Sequence, residues 1–244
     1  LGEHLKELGA EGVTLIASGP VGVSPLHAAP WTENGSMVCL LDHFQVRSAP
    51  SASLQAVCLK RARNVEGLEP SLLALGNPDL EDPKWNLPGA EDEVRGIESQ
   101  FSPERCKVAL RNEATADFFL RNVSGVTHLH LACHASGSLF DYGAAPLHLA
   151  DRSISGDELE RLPISARVSV LSACQTAQLD MANLPDEVSS MSTALLVAGS
   201  CAVVATQWPV GDEAAALLMD RFYEELIENG AEVGEALRRA QLWL

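Results

Sequence analysis

The chain has 244 residues, of which 46% are hydrophobic and 20% are charged, and its mean hydropathy is +0.05. This composition fits one large globular domain or two fused ones, and it excludes a disordered or collagen-like chain. The formal net charge is −16, from 17 basic and 33 acidic residues. This charge argues against direct nucleic-acid binding, because phosphate contacts require Lys and Arg.

Three further features indicate where the protein works. No stretch approaches the roughly 20 apolar residues that a membrane span needs, and no leader pattern opens the chain. The six cysteines are scattered without a Cys-x-x-Cys pair, which is typical of free thiols in a reducing compartment. We therefore expect a cytoplasmic protein without membrane contact. Because the chain starts at Leu1 and stops within a predicted helix, we also expect it to be part of a longer protein.

The first 70 residues have a strand-rich pattern without regular alternation. The predicted elements are, in order, a strand (Val13–Ala17), a Gly- and Pro-rich loop (Pro20–Trp31), a hairpin of Met37–Leu41 and Phe44–Arg47 around Asp42-His43, and a helix (Ser51–Arg63). A boundary near Glu66–Glu69 precedes a change of pattern. We interpret residues 1–70 as an N-terminal accessory lobe.

From residue 71 onward, strands alternate with helices. The predicted strands are Leu72–Leu75, Cys106–Leu110, His128–Ala132, Arg167–Leu171 and Cys201–Thr206. The predicted helices are Ala90–Phe101, Ala114–Asn122, Ser189–Ala198, Asp212–Asn229 and Gly234–Leu244. Such alternation predicts an α/β fold with a mostly parallel central sheet flanked by helices, and the apolar strands, Cys201–Thr206 included, should be buried. Glu93 falls in the predicted first turn of its helix, where an acid suits the helix dipole. Residues 71–244 form the predicted core.

Chemically useful residues follow the predicted strands. His134 comes shortly after His128–Ala132, and Cys174 comes shortly after Arg167–Leu171. Parallel strands end at the same edge of a sheet, and a long crossover allows these two strands to be neighbours, so His134 and Cys174 can come within hydrogen-bond reach. An imidazole beside a thiol makes the thiolate available and later protonates a leaving amine. The alternatives are a buried structural thiol and a loop histidine.

Other chemistries have weaker support. His128, His130, His134 and Cys174 could in principle bind zinc, but no closed set of four ligands has zinc-like spacing. We expect His128 and His130 to be packed or hydrogen-bonded core groups, and the remaining cysteines to be core or surface thiols. Neither a Gly-x-Gly-x-x-Gly or Walker pattern nor a Gly-x-Ser-x-Gly elbow occurs, so a nucleotide site and a serine hydrolase are disfavoured. No cofactor is implied.

A series of short motifs occurs in order along nearly the whole chain. The motifs are Pro25–Pro30, Ala49–Ser53, Gly76–Pro78, His130–His134, Leu171–Thr176, Asp186-Glu187, Trp208–Asp212, Phe222-Tyr223, Ala236-Leu237 and Ala240-Gln241. Together they resemble the caspase-like CHAT family, a branch of the caspase and separase clan. The resemblance implies a caspase-like fold and a cysteine endopeptidase that acts through a thioester. It makes His134 the general base and Cys174 the nucleophile of a dyad, with the N–H groups of Ala135 and Cys174 as the oxyanion hole. The chain has Ala135 where the family commonly has Gly, and Gln175 and Ala177 where it commonly has Glu and Gly.

The resemblance also suggests where a peptide substrate would lie. Trp208 ends the strand expected beside the Cys174 strand, the edge on which caspase-like folds pair with an extended substrate; the alternative is a Trp packed under the last helix. Asp141, Asp186, Glu187 and Asp212 are candidates to line a pocket for the residue before the cut, and each could instead be a cap or a solvated loop charge. An acidic pocket would select a basic residue.

Two further expectations concern partners and activity. Members of the resembled family are often fused to TPR repeats, so the activity is expected to be gated by a flanking or partner region. A catalytically silent module acting as a scaffold or sensor remains an alternative, supported by Ala135 and Ala177. A different Cys–His amidase or acyl transferase also remains open, because it uses the same dyad chemistry.

Overall fold

The computed structural model of the protein describes residues 2–17, 21–22, 24–134, 146–172, 190–207 and 210–244. Its strands are β1 (Gly12–Leu15), β2 (Trp31–Glu33), β3 (Ser36–Val38), β4 (Gln45–Ser48), β5 (Leu72–Gly76), β6 (Cys106–Leu110), β7 (His128–Ala132), β8 (Leu147–His148), β9 (Ser153–Ile154), β10 (Val168–Leu171) and β11 (Val203–Ala205). Its α-helices are α1 (Gly2–Glu7), α2 (Leu40–His43), α3 (Ala52–Val65), α4 (Pro88–Glu98), α5 (Ala116–Asn122), α6 (Gly156–Glu160), α7 (Met191–Ala198), α8 (Asp212–Tyr223) and α9 (Val233–Trp243). A π-helical turn at Glu224–Glu228 continues α8, and short 3₁₀ turns include Pro83–Trp85.

The central sheet has five parallel strands in the order β11-β10-β7-β5-β6. The predicted mostly parallel α/β sheet is therefore confirmed. β5 and β7 lie in its middle, and each of their residues is buried. The continuous apolar character of β5 follows from this position, because helices cover both faces of the sheet.

The alternation of side chains along β5 divides the core into two layers. Leu72 and Ala74 face a cluster that includes residues of α4, α8 and α9, whereas Leu73 and Leu75 face a cluster that includes residues of α5, α6 and α7. All four side chains are fully buried. Each buried leucine contributes roughly 1.5–3 kcal/mol relative to an exposed one, so this strand is a main source of stability.

The predicted hairpin around Asp42-His43 is wrong. Leu40–His43 forms the short helix α2, and β4 pairs in parallel with β1 rather than with β3. β3 pairs antiparallel with β2 through a turn at Asn34 and Gly35, both of which have positive φ. The Asp42 carboxylate accepts a hydrogen bond from the Cys39 N–H at 2.7 Å, so the residue taken for a turn signal caps a helix instead.

Two predictions in the second part of the chain also need correction. The strand predicted over Cys201–Thr206 is shorter, and as an edge strand it buries only Val204 of its three residues. The helix predicted from Ala90 begins at Pro88, in agreement with the preference of proline for the first helical turn. Glu93 therefore lies in the middle of α4, where it is buried, and not in an exposed first turn.

The first 70 residues contact the rest of the chain through both α3 and α9. Arg61 of α3 donates to the carbonyls of Leu196 and Val197 at 2.5 and 3.4 Å, and Arg238 of α9 donates to those of Leu41 and Asp42 at 2.6 and 2.9 Å. The division into residues 1–70 and 71–244 stays a prediction. Among the described residues, no helix is long and apolar enough to cross a membrane.

Candidate active site

The chain segments that lead to the predicted dyad leave neighbouring strands at one edge of the sheet. His134 lies two residues beyond β7, and Ser172 directly follows β10. The two strands pair with Leu131 opposite Leu171, and the Ser172 N–H donates to the Leu131 carbonyl at 3.0 Å. Because parallel strands end at the same edge, these two segments start side by side, as the sequence predicts.

A backbone carbonyl orients the imidazole of His134. Its Nε2 atom lies 2.8 Å from the carbonyl oxygen of Trp85, and the two rings meet edge to face with centroids 4.8 Å apart. A carbonyl only accepts, so this contact assigns the proton of the neutral imidazole to Nε2 and the lone pair to Nδ1. The half-buried ring is thus held in the tautomer that can accept a proton through Nδ1.

The loop that carries Trp85 is anchored by Asn77. This side chain is almost fully buried; its Oδ1 accepts from the Leu87 N–H at 2.6 Å, and its Nδ2 donates to Asn86 and Glu91 at 3.0 and 2.7 Å. Its backbone has a positive φ of 48°, which asparagine tolerates better than most residues. The Gly76-Asn77-Pro78 motif therefore does more than end β5, because it fixes the loop whose carbonyl orients His134.

A buried carboxylate lies beneath the same edge. One oxygen of Glu93 is 3.1 Å from Nε2 of His130, although the two are not aligned for a full hydrogen bond, and the other accepts from the Ser172 hydroxyl at 3.0 Å. Tyr223 of α8 lies on the far side of His130, with its hydroxyl 3.4 Å from Nδ1. The side chains of Glu93, His130, Ser172 and Tyr223 thus form one polar group between β7, α4, α8 and the residue that follows β10.

The whole chain matches one described family. The family model of the CHAT domain, which is a caspase-like family, matches residues 1–244. The chain belongs to the CHAT-domain family. No curated protein sequence matches it. The resemblance that the sequence motifs indicated is confirmed, and the parallel sheet with helices on both faces agrees with a caspase-like fold.

Most of the other site residues predicted for this CHAT domain lie outside the described residues. These are Ala135, Asp141, Cys174, Asp186, Glu187 and Trp208. Asp212 is the first residue of α8, directly after Gly211. The strand that leads to Trp208, β11, does lie beside β10, as predicted. His134 is the predicted site residue whose surroundings are described.

Four of the described cysteines have thiols that are poorly suited to nucleophilic chemistry. Cys133, the neighbour of His134, is fully buried with its Sγ 3.6 Å from the Leu75 carbonyl, and burial together with the Glu93 charge raises the pKa of its thiol. Burial likewise raises the pKa of Cys58, Cys106 and Cys201. A raised pKa lowers the thiolate fraction, so these residues fit the core or surface role predicted for them.

Sequence reasoning missed Trp85, and it gave Glu93 a different role. Trp85 lies in a loop predicted only as polar, and its contribution is a backbone carbonyl, which no residue type signals. A signal for Glu93 did exist, since it shares a helical face with Ala90, Val94 and Ile97, all of which are buried.

The predicted core roles of His128 and His130 are confirmed by their burial. Within the described ranges, no group of three or more His, Cys, Asp or Glu side chains could hold a metal ion.

Proposed function

We propose that this CHAT domain is a cysteine endopeptidase with a Cys174–His134 dyad. The observation that carries the proposal is the position of His134, which follows the strand next to the one leading to Cys174 and is held by the Trp85 carbonyl with its lone pair on Nδ1. Family membership supports a peptidase-related role. The caspase-like fold by itself would not establish catalysis, because function depends on the site.

The proposed reaction is acyl transfer to Cys174 followed by hydrolysis. His134 takes the thiol proton, the sulfur attacks the peptide carbonyl carbon, and the oxyanion is stabilised by the N–H groups of Cys174 and Ala135. The carbon–nitrogen bond then breaks as His134 gives its proton to the leaving amine. Water then gives a proton to His134 and attacks the thioester carbon. The carbon–sulfur bond breaks, the carboxylic acid product leaves, and His134 returns the proton to the Cys174 sulfur. The reaction requires no cofactor.

The substrate is proposed to be a protein segment in extended form. Trp208 would contact it from the edge beside the Cys174 strand, and Asp141, Asp186, Glu187 and Asp212 are the candidates for the pocket that receives the residue before the cut. An acidic pocket favours Lys or Arg there. Cleavage profiles of the wild type and Asp186→Ala test this; an apolar preference that is the same in both would remove the acidic pocket from the proposal.

The dyad can be tested without knowing the substrate. Brief exposure to limiting iodoacetamide at neutral pH, followed by mass spectrometry of all six cysteines, ranks their reactivity. We expect Cys174 to react fastest and His134→Ala to slow it by at least about tenfold, because the thiolate loses its paired base. Cys133→Ala is the matched control, since it removes the neighbouring buried thiol and should leave the rate at Cys174 unchanged.

A second candidate function is a catalytically silent CHAT module that acts as a scaffold or sensor. It is favoured by Ala135 and Ala177, where the family commonly has glycine. The same labelling separates the two functions. We propose a flanking TPR-type region or a partner as the regulator, so the labelling is done on the chain alone and again with that regulator. If Cys174 reacts no faster than the other thiols in both cases, the silent module is favoured.

A further inference from the structure

The buried carboxylate of Glu93 is unusual for a helix that packs on an apolar sheet. The side chain is 4% exposed, and it lies on the face of α4 that otherwise contributes Ala90, Val94 and Ile97 to the core. Burying an ionised carboxylate costs several kcal/mol unless charge and hydrogen bonds compensate. An apolar residue would pack here without that cost. The role of Glu93 must therefore be inferred from the groups that it contacts.

Those partners belong to the two strands that lead to the proposed dyad. His130 is on β7, four residues before His134, and Ser172 is the first residue after β10, two before Cys174. Glu93 contacts each through a different carboxylate oxygen, at 3.1 and 3.0 Å. A third element, α4, thus joins the middle of β7 to the residue that follows β10.

The contacts around Glu93 extend to α8. The Ser172 hydroxyl donates to one carboxylate oxygen, and Nε2 of His130 faces the other. Nδ1 of His130 lies 3.4 Å from the Tyr223 hydroxyl. Burial, and after it the negative charge of Glu93, raises the pKa of Tyr223.

We propose that Glu93 and Ser172 are positioning residues of the CHAT site, which hold the start of the Cys174 segment in register with the strand that carries His134. The ladder between β7 and β10 ends with the Ser172 N–H, so the hydroxyl contact to Glu93 is the last side-chain restraint before residue 173 among the described residues. Buried polar groups with fixed partners specify one geometry more sharply than apolar packing does. This inference rests on the proposed dyad.

The test compares three serine variants of the intact chain. Ser172→Ala removes the hydroxyl that reaches Glu93, whereas Ser172→Thr keeps a hydroxyl at the same position. Ser169→Ala is the matched control, because Ser169 is a buried serine on the same strand that bonds Ser200 at 2.6 Å instead. The readout is the rate of Cys174 alkylation by iodoacetamide as a function of pH, with circular dichroism to confirm that each variant is folded.

We expect Ser172→Ala to slow Cys174 alkylation at neutral pH about tenfold and to move its pH midpoint towards that of an ordinary thiol, about 8.5, because the thiol and its base lose their alignment. Ser172→Thr should stay within about threefold of the wild type and Ser169→Ala within about twofold. Glu93→Gln should resemble Ser172→Thr, since the amide oxygen still accepts from Ser172, whereas Glu93→Leu should resemble Ser172→Ala.

Three contrary results have different meanings. If Ser172→Ala keeps the wild-type rate and pH midpoint while His134→Ala lowers the rate, the dyad stands and the positioning role is refuted. If His134→Ala leaves the rate unchanged, the dyad fails and the positioning role fails with it. A loss of thermal stability in Ser172→Ala with an unchanged pH midpoint would assign Glu93 and Ser172 a structural role only, and would also refute the inference.

Discussion

The three histidines at positions 128, 130 and 134 differ in chemistry because their neighbours differ. His128 packs edge to face on Phe101, with ring centroids 5.2 Å apart, in the apolar layer. His130, two residues along the same face, meets the carboxylate of Glu93. His134, beyond the strand end, is half-buried and bonds a carbonyl. Only the last combines access with a fixed tautomer, which is what a general base requires.

The pH dependence of stability should report the environment of His128. Burial, with a smaller contribution from the Arg167 charge, lowers the pKa of His128 from 6.5 to about 4. A histidine with a lowered pKa in the folded chain adds stability above pH 6.5, and this contribution is lost as the pH falls towards 4. From pH 7 to pH 4.5 we expect it to remove about 2 to 3 kcal/mol from the free energy of unfolding.

Urea unfolding of the wild type and His128→Gln at the two pH values measures this contribution. The variant cannot take up a proton at this position, so its own loss between the two pH values should be smaller by the same amount. His4→Gln is the control for removing an imidazole, since His4 is 70% exposed. Equal losses in the wild type and His128→Gln would show that His128 is not the group responsible.

Residue types indicated that His134 follows β7 at the sheet edge, but they did not indicate the groups that surround it. His134 could be found because it follows an apolar strand within a motif, which is a local pattern. Trp85 acts through its main chain, so its side-chain type carries no information about the contact. For Glu93, the prediction considered only the helix dipole of a first turn beginning at Ala90, whereas its spacing from Ala90, Val94 and Ile97 places it on the buried face of α4.

At the level of elements, the sequence pattern predicted the limits of strands better than it predicted which strands pair. The limits of β6 (Cys106–Leu110) and β7 (His128–Ala132) were predicted to the residue. The hairpin at Asp42-His43 failed, since the true partner of β4 is β1, which lies about thirty residues upstream. The burial of β11 was overestimated for a similar reason, because an apolar run does not tell whether a strand has one neighbour or two.

The junction between α7 and β11 should be especially sensitive to substitution. Gly199 ends α7 with a φ of 133°, a region that L-residues rarely adopt, and a β-carbon there would overlap the carbonyl oxygen of Ile164. We expect Gly199→Ala to lower the free energy of unfolding by about 3 kcal/mol or more, through backbone strain and displacement of the neighbouring chain. Chemical denaturation measures the change.

Gly125→Ala separates these two causes. Gly125 also has a positive φ, 80°, but its β-carbon would meet nothing within 4 Å. Gly125→Ala should therefore lower the free energy of unfolding through backbone strain alone, by about 1 kcal/mol. Equal costs at the two positions would contradict the proposed overlap at Gly199 and would leave backbone conformation as the sole cause.

On the scale of the whole molecule, the last helix ties the two ends of the chain together. α9 packs against both β4 and the π-helical turn that follows α8, so it touches an early element and the layer that covers the central sheet. Arg238 adds hydrogen bonds to this link. Its guanidinium donates to the Leu41 and Asp42 carbonyls of α2, which lie at the end of the helix and lack partners within it. Arg238 thereby adds a side-chain link between the first 70 residues and α9, beside the link that Arg61 of α3 makes to α7.

Removal of that side chain should weaken the coupling measurably. Arg238→Ala leaves the carbonyls of Leu41 and Asp42 without their charged donor, and we expect a loss of about 1.5 to 3 kcal/mol in the free energy of unfolding. Arg121→Ala is the control, because Arg121 forms an exposed pair with Asp117 one turn away on α5, and such pairs contribute only about 0.5 kcal/mol. Limited proteolysis adds the spatial readout: cleavage in residues 34–50 should become faster in Arg238→Ala while cleavage elsewhere does not. Equal stability losses in the two variants, with unchanged cleavage, would show that α9 holds the early part of the chain by apolar packing alone.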